Sequence, residues 1–379
     1  MFIEFTEEQR LIIDTARDFA RKELEPNVQR WDEEEHFPRE AVLMLGELGF
    51  LGMMIPEEYG GSGLSTLTYI LALEEISKVD PSIAVTMSVH NSLPTSMLKD
   101  YGTEEQKRKF LVPMARGEKI GAFALSEPGA GSDAASVRTA ARKIDGGYVI
   151  TGTKVFITNG GTGDLFLVFA RTGAAEGAHG ISSFIVEKER EGFKVGKKER
   201  KMGLRSSNTA ELIFEDMFVP EENLLGSEGE GFILAMKGLD NGRLGIAAQA
   251  LGIADRCLEE SIAYSKERQQ FGRPIAAFQA VQFHLADMAM KIEASRTLLY
   301  ATAIKKDRGE VVTKEAAMAK LFASETAMET ATKAVQIHGG NGYMKEYAVE
   351  RFFRDAKVTE IYEGTSEVQR IVIAKRLLT

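Results

Sequence analysis

Cysteine, tryptophan and histidine are scarce in this chain of 379 residues, which has one cysteine, one tryptophan and five histidines. The single cysteine, Cys257, cannot form an internal disulfide, which excludes the disulfide-rich class of small secreted proteins and indicates a reducing compartment. The histidines lie far apart, without the short spacing of metal ligands. We therefore expect no metal site.

Long hydrophobic runs and a surplus of positive charge are also missing. No apolar run approaches the roughly 18 residues of a membrane-spanning helix, and the acidic start of the chain lacks the apolar core of a signal peptide. The formal net charge of -9 argues against a nucleic-acid-binding or anionic-membrane surface. The sequence predicts a cytoplasmic protein with no membrane span and no nucleic-acid partner.

The hydrophobic period changes twice along the chain. Residues 1–120 and 231–379 carry apolar residues at helical spacing, as at Leu244, Ala248 and Leu251. Residues 121–230 contain short β-branched and aromatic runs separated by glycine turns, which is typical of a small antiparallel barrel or sandwich. We expect an α+β, mostly α, multidomain protein with an all-α domain at 1–120, a β domain at 121–230 and an all-α domain at 231–379.

Glu363 is the first candidate for acid–base chemistry. Ser366 and Gln369 have the spacing of a capping box, which predicts a helix start there and places Glu363 in the preceding loop. A carboxylate held in an apolar pocket has a raised pKa, which suits a general base that works near neutral pH. The alternative interpretation is an ordinary loop acid, one of 56 acidic residues.

Three further segments place polar residues beside glycines. They are Leu125-Ser-Glu-Pro-Gly-Ala-Gly-Ser-Asp133, Arg268-Gln-Gln-Phe-Gly272 and Gln336-Ile-His-Gly-Gly340. The first lacks the strand-to-helix context of a dinucleotide-binding loop, so it is either a ligand-binding loop or a structural turn. Arg268 either meets a diphosphate or forms a surface ion pair, and Gln336–Gly340 is at least a helix end with terminal glycines.

Together with Phe156-Ile-Thr-Asn159 and Ile361-Tyr-Glu-Gly-Thr-Ser366, these segments resemble the acyl-CoA dehydrogenase family over most of the chain. The resemblance is closest to the short-chain (butyryl-CoA) members. It implies an N-terminal helical domain, a central β-barrel and a C-terminal four-helix bundle. It also implies FAD as cofactor, dehydrogenation of a fatty acyl-CoA to the trans-2-enoyl-CoA, electron-transferring flavoprotein as acceptor, and a homotetramer built as a dimer of dimers.

The resemblance also implies roles for individual residues. Glu363 matches the base that removes the α-proton, while a hydride passes from the β-carbon to flavin N5. The backbone N–H of the base and the flavin ribityl 2′-hydroxyl stabilise the developing enolate. Positions that match substrate contacts are Ser132, Ser182, Asp240, Asn241, Gly242, Arg243 and Gly364, with Asp240 and Arg243 toward the pantetheine and adenine of coenzyme A.

Positions that match FAD contacts fall into five groups along the chain. They are Phe123, Leu125 and Ser126; Phe156, Ile157 and Thr158; Arg268, Phe271 and Gln279; Gln336, Ile337, His338, Gly339 and Gly340; and Thr365 and Glu367. In the family the fourth group reaches FAD across a subunit interface. Phe156 stands where many members have tryptophan, and Glu367 where some have glutamine.

Two positions depart from other members of the family. Members that act on isovaleryl or long chains carry the base just before the arginine of the Leu239–Arg243 segment. Here that residue is Gly242, which has no side chain for the task, so isovaleryl specificity is disfavoured. Pro94 interrupts a helix that lines the acyl pocket in the family, and because proline kinks or starts a helix, we expect an altered pocket depth.

Two other functions stay open. An acyl-CoA oxidase passes electrons to oxygen, but such proteins usually carry an extra C-terminal domain, whereas this chain ends after its last helix. A flavin-free acyl-CoA-binding scaffold would be colourless, and the complete set of flavin and base residues argues against it. Short straight acyl groups are the favoured substrates, followed by short branched ones such as isobutyryl or 2-methylbutyryl.

Overall fold

The computed structural model describes residues 4–173 and 177–379 and forms helices, then strands, then helices along the chain. This order confirms the mostly helical α+β architecture that the hydrophobic period predicts. Met1 to Ile3, part of the segment assessed above for a signal peptide, lie outside the described residues.

Eight α-helices precede the first strand within described residues 4–120. They are α1 (Glu7–Phe19), α2 (Val28–Glu34), α3 (Arg39–Glu47), α4 (Thr66–Ser77), α5 (Pro81–His90), α6 (Ser96–Tyr101), α7 (Glu104–Gln106) and α8 (Val112–Ala115). The hydroxyl of Thr6 accepts the N–H of Gln9, and the Gln9 side chain accepts the N–H of Thr6, so a capping box starts α1.

Within described residues 121–173 and 177–230, the chain forms eight strands. They are β1 (Gly121–Ala124), β2 (Ala140–Ile144), β3 (Gly147–Thr158), β4 (Leu165–Arg171), β5 (Ile181–Glu187), β6 (Phe193–Lys198), β7 (Thr209–Pro220) and β8 (Leu224–Leu225). Their order is β6-β7-β3-β2-β4-β5-β8, with β1 beside β4. The strand pairs are antiparallel except that β1 and β2 run parallel to β4, which the all-antiparallel expectation missed. Two strands intervene between β1 and β4 and supply the crossover that parallel neighbours require.

The side chains of β4 alternate between two apolar cores because successive residues of a strand point to opposite faces. Phe166 and Val168 lie in a core with residues of β3 and β7. Leu167 and Phe169 lie in a second core that includes Met114 of α8 and, from the start of the helix after the strands, Leu234 and Ala235. The sheet is therefore fixed to the N-terminal helices through one of its faces.

The remaining elements are again helical, with one short hairpin. They are α9 (Gly231–Glu267), β9 (Gln269–Gln270), β10 (Arg273–Pro274), α10 (Gln279–Asp307), α11 (Thr313–His338), α12 (Val349–Thr359) and α13 (Ser366–Leu378). Helices α9, α10 and α11 pack on one another, α13 packs against α11, and α9 also packs against α4 and α5.

Helix α9 thus joins the N-terminal and C-terminal helices in one large core. The boundaries 1–120, 121–230 and 231–379 remain a proposal. Across residues 4–173 and 177–379, no helix has both the length and the apolarity needed to cross a bilayer.

His90, at the end of α5, connects the N-terminal helices to the sheet. It is fully buried; its Nδ1 accepts the N–H of Gly121 at 2.9 Å and its Nε2 lies 3.1 Å from the carbonyl oxygen of Met114. Nε2 must carry the proton in this arrangement, so the ring is neutral. Burial lowers the pKa of His90 to about 4, because it disfavours the charged imidazolium.

We expect His90 to make the folded protein sensitive to acid. The pKa of His90 is lower in the folded protein than in the unfolded chain. Its contribution to the free energy of unfolding is therefore complete above pH 6.5 and falls as the pH drops toward 4, by about 2 kcal/mol at pH 5. Urea unfolding at pH 7.5 and pH 5 measures this loss. The loss of stability between the two pH values should be about 2 kcal/mol smaller in His90→Gln than in the wild type. It should equal the wild-type loss in the control His36→Gln, because His36 is exposed. Equal losses in all three proteins would contradict the assignment.

Candidate active site

The loop between α12 and α13 presents Glu363 on a left-handed backbone. The φ angles of Glu363 and Gly364 are 50° and 93°, in a region that residues other than glycine rarely occupy. Helix α13 begins at Ser366 as predicted, but its cap is Thr365, whose hydroxyl accepts the N–H of Val368. Two consecutive residues with positive φ therefore stand directly before a capped helix.

The expected capping box of Ser366 and Gln369 is wrong. The Gln369 side-chain amide donates to the carbonyl oxygens of Glu363 and Gly364, at 3.1 and 2.8 Å, whereas a capping box needs an acceptor for the cap N–H. Lys320 Nζ of α11 donates to the same Gly364 oxygen at 2.8 Å. Two fully buried side chains thus hold the turn that carries Glu363.

The carboxylate of Glu363 is isolated from solvent and from partners. Both of its oxygens are buried and have no hydrogen-bond partner among the described residues, although the residue as a whole is only half-buried. Burial raises the pKa of Glu363 to about 7, and the positive charges of Lys320 and Arg243 oppose part of that rise. A carboxylate of this acidity is a candidate general base at neutral pH.

Gly242 of α9 makes the space for this carboxylate. A Cβ atom at position 242 would lie 1.9 Å from Glu363 Oε2, far inside van der Waals contact. A side chain at 242 and the Glu363 carboxylate would therefore occupy the same space. This explains in steric terms why a chain with its base at 363 carries glycine at 242.

A small apolar cluster, in which all three parts of the chain meet, adjoins the Glu363 loop through Tyr362. Its buried members are Val85, Val89, Leu93, Leu204 and Ile246, with Phe123, Leu239, Val358 and Tyr362 packed against them. The Tyr362 hydroxyl donates to Gln249 of α9. The cluster provides an apolar lining next to a carboxylate, which suits an acyl chain with a reactive carbon near its head.

Pro94 does not end the helix that contributes to this lining. It lies in a wider π-type turn over residues 91–95, and helix α6 continues from that turn. Its ring packs on the start of β1, since a Cβ at Gly121 would lie 2.7 Å from Pro94 Cγ. The preceding residue, Leu93, lies in the same turn and belongs to the apolar cluster, so the turn places Leu93 in that lining.

The expected coenzyme-contacting residues of α9 point into the protein. Arg243 is 4% exposed and pairs with Asp240, which also accepts from the Thr313 hydroxyl at 2.6 Å. Asn241 donates to Ser96 at 2.7 Å and accepts from Lys306. The burial of Arg243 favours an electrostatic role toward Glu363 over the adenine contact that the resemblance implies.

Two of the expected flavin segments lie side by side on the sheet. The N–H of Val155 donates to the Ser126 carbonyl at 2.9 Å, and buried Lys154 donates to the carbonyl of Leu125 and to Glu127. Phe123 packs on the Phe169 ring at 4.8 Å between centroids and also touches the apolar cluster. The loop at 123–126 and the end of β3 therefore adjoin the surroundings of Glu363.

A β-bulge between Lys154 and Ile157 divides the second of these segments. Phe156 has a φ of 59° and is 68% exposed, whereas Ile157 is buried in the sheet core. Bulges redirect side chains in this way. The side chains of Phe156 and half-buried Thr158 remain available to a ligand, whereas that of Ile157 packs inward, so the contact predicted at Ile157 would involve its backbone.

The two expected substrate serines differ in their surroundings. Ser132 is exposed in the loop after β1. Ser182 is fully buried, and its hydroxyl is bonded to Thr172 at 2.8 Å and to the N–H of Gly229 at 2.9 Å. The substrate contact at Ser182 stays a prediction, and the hydroxyl that would make it is already hydrogen-bonded within the protein.

The other expected FAD residues form a separate group at the end of α9. Arg268, Phe271 and Gln279 are exposed around the β9–β10 hairpin, with Phe271 at 92% exposure. The Tyr264 ring stacks on His338 at 4.2 Å, which brings the Gln336–Gly340 segment to the same place.

The side chains of Ile337 and His338 are buried, and His338 Nδ1 donates to the Ala334 carbonyl. Gln336, Gly339 and Gly340 are exposed. Glu367 is also exposed, in the first turn of α13.

Lys320 is the residue of this site that sequence reasoning missed. Its signal is a charged residue at a core-facing position of a helix, because Ala316, Ala323 and Ala327 occupy the same face and are buried. Motif matching does not detect such a position, since a single lysine in a helix usually lies on the surface.

The chain is similar to proteins of one family along its whole length. Family models described as the N-terminal, middle and C-terminal domains of acyl-CoA dehydrogenase match residues 6–118, 122–217 and 229–378. A short-chain specific acyl-CoA dehydrogenase of Clostridium acetobutylicum is 52% identical over 377 residues, 100% of each chain. Among solved structures, butyryl-CoA dehydrogenase of Megasphaera elsdenii matches with a TM-score of 0.99 at 49% sequence identity. A chain in a structure of the electron transferring flavoprotein of Acidaminococcus fermentans matches with a TM-score of 0.98 at 53% sequence identity. Each match covers 100% of both chains.

Proposed function

Because the chain belongs to the acyl-CoA dehydrogenase family, we propose that it converts short-chain fatty acyl-CoA thioesters to trans-2-enoyl-CoA with Glu363 as the base. It is an FAD-dependent oxidoreductase, as members of this family are. The observation that carries the proposal is the buried, unpartnered carboxylate of Glu363 at the edge of an apolar cluster. A carboxylate in these surroundings accepts a proton readily at neutral pH.

Each part of the site has a role in removing the α-proton. Glu363 takes the proton from the α-carbon, and its own backbone N–H donates to the thioester carbonyl as negative charge develops there. The cations of Arg243 and Lys320 stabilise the ionised carboxylate and offset part of the rise in pKa that burial causes. The apolar cluster excludes water and aligns the acyl chain. Bound FAD supplies the acceptor for the hydride that leaves the β-carbon.

The residues present fit a flavin. Phe156 offers an exposed aromatic face beside the Ser126 loop, and Phe123 links that loop to the surroundings of Glu363. We assign Phe123, Leu125, Ser126, Phe156 and Thr158 to the flavin ring. Arg268, Phe271, Gln279 and the exposed members of Gln336–Gly340 are assigned to the diphosphate and adenosine, since a guanidinium suits phosphate oxygens. Thr365 and Glu367 complete the set.

The small apolar cluster supports short acyl groups. Val89, Leu93 and Ile246 are 0–6% exposed, so a long chain would have to displace packed side chains. With an artificial electron acceptor and acyl-CoAs from C4 to C16, we expect kcat/KM to be highest at C4 to C6 and at least tenfold lower at C12, a difference that about 1.4 kcal/mol produces. Isobutyryl- and 2-methylbutyryl-CoA should follow the straight C4 substrate. A maximum at C8 or above would contradict this assignment.

We assign electron-transferring flavoprotein as the acceptor, in agreement with the similarity to a chain from a structure of such a protein. Anaerobic reduction by butyryl-CoA, followed by exposure to either this acceptor or oxygen, distinguishes the dehydrogenase from an oxidase. Rapid reoxidation by oxygen with stoichiometric peroxide would favour the oxidase. A colourless protein that takes up no FAD would favour a scaffold.

A homotetramer is part of the proposal. Phe283 and Met290 of α10 are each 63% exposed and Ile371 of α13 is 65% exposed, so the C-terminal helices leave large apolar side chains uncovered. Such side chains support association with further copies of the chain. The exposed Phe271 and Gln336 fit an FAD site that a second subunit completes.

A further inference from the structure

Lys320 is a fully buried lysine whose ammonium reaches the active-site turn. The small side chains of Ala316 and Ala323, on the same face of α11, leave room for it. Its Nζ donates to the carbonyl oxygen of Gly364 at 2.8 Å, one residue after Glu363. Burial of an ammonium is unfavourable unless nearby groups compensate its charge. The position of this lysine therefore calls for a compensating partner at the site.

The hydrogen-bond partner of Lys320 differs in charge from that of Arg243. Arg243 is paired with the carboxylate of Asp240 on its own helix, whereas Lys320 hydrogen-bonds a neutral carbonyl. Burial lowers the pKa of Lys320 to about 8, and Glu363 is the main charge that opposes this. Glu363 opposes the fall in the pKa of Lys320, and Lys320 opposes the rise in the pKa of Glu363, so the two charges stabilise each other.

The other groups that face Glu363 do not replace this charge. Tyr69 of α4 and Tyr362 of the same loop are buried, and burial raises the pKa of both phenols, so they stay neutral near pH 7. Glu360 and Glu367 act on Lys320 as more distant negative charges. Lys320 is therefore the buried cation that is coupled to Glu363 without a hydrogen-bonded carboxylate of its own.

We propose that Lys320 is a positioning residue of this site, which holds the Glu363–Gly364 turn and sets the pH at which Glu363 becomes a base. The bond to Gly364 fixes the left-handed turn from which the carboxylate projects. The ammonium stabilises the ionised form of the carboxylate before substrate is deprotonated. The inference rests on the proposed role of Glu363 as the base.

Lys320→Met tests the proposal, because methionine is similar in length and carries no charge. Removal of the ammonium should move the acid limb of the kcat/KM profile about one pH unit toward alkaline values. Activity at pH 7 then falls about fivefold and recovers near pH 9, where both proteins have an ionised base. Lys320→Arg keeps the charge and should leave the limb in place even where kcat falls. Lys314→Met, on the same helix and partly exposed, is the matched control and should change neither.

A second measurement reads the same quantity without turnover. In the substrate-free holoenzyme, the infrared band of the protonated carboxyl that Glu363→Gln removes can be titrated, and its midpoint should rise in Lys320→Met. If the methionine variant does not fold, Lys320→Gln, neutral but still polar, carries the same expectation.

Two outcomes separate the inference from the function on which it rests. A slower neutral variant whose limb and infrared midpoint stay at the wild-type values would overturn the role of Lys320. A wild-type acid limb that persists in Glu363→Gln would instead overturn the role of Glu363.

Discussion

Replacement of Glu363 by glutamine will lower kcat by about 10²–10⁴-fold, while the purified protein stays yellow with bound FAD. Glutamine has nearly the same shape as glutamate and fits the space beside Gly242, but its amide cannot take a proton from the α-carbon. The residues assigned to FAD are not altered, so cofactor content should not change.

The measurement is steady-state turnover of butyryl-CoA with an artificial electron acceptor, together with the flavin absorbance of each preparation. In the wild type, kcat/KM should rise with pH through about 7, because Glu363 is active only when deprotonated and burial raises its pKa to about that value. Glu360→Gln is the matched control, since Glu360 lies in the same loop and pairs with Lys357 at 2.6 Å. Near-normal kcat in Glu363→Gln would refute the assignment of the base.

The Gly242→Ala variant tests the steric side of the same site. Its new methyl group would lie 1.9 Å from Glu363 Oε2, so the carboxylate or helix α9 must move. A displacement of about 1 Å at a catalytic group lowers the rate by about 10²-fold, and we expect a loss of that size in kcat. Binding of FAD should be retained, because none of the assigned flavin contacts involves position 242.

Gly238→Ala is the control for helix propensity and side-chain volume on α9. A Cβ at Gly238 meets Met97 Sδ at 2.8 Å, the flexible end of a side chain that can shift, and it does not meet Glu363. Both variants gain the same helix preference of alanine over glycine. An equal effect of the two substitutions on kcat would show that the contact between Gly242 and Glu363 is unimportant.

Several features of the site can be derived from local sequence because they depend on local chemistry. The loop position of Glu363 follows from the helix signals after it, and Thr6 and Gln9, which have the spacing of a capping box in the sequence, form one at the start of α1. The short β-branched and aromatic runs between glycine turns in 121–230 correctly predict strands. Local signals fail where two adjacent residues could both cap a helix. Thr365, and not Ser366, caps α13, and the Gln369 side chain instead donates to the carbonyls of Glu363 and Gly364.

Side-chain direction could not be derived in the same way. Phe156 and Ile157 are adjacent in one motif, yet a bulge exposes the first and buries the second. Ser182 and His338 belong to matching motifs, but their polar atoms are engaged within the protein. A motif specifies which residue types are present, whereas strand register and packing decide which atoms remain free for a ligand.

The sequence by itself determined the family and the order of helical and β segments, and it predicts Glu363 as the base. These depend on hydrophobic period, capping residues and short motifs, all of which are encoded within a few residues of the chain. Only the tertiary structure decided the acidity of Glu363, the need for glycine at 242 and the involvement of Lys320. Each of these results from atoms more than 40 residues apart in sequence that folding brings together among buried side chains, where burial and charge act over a few ångströms.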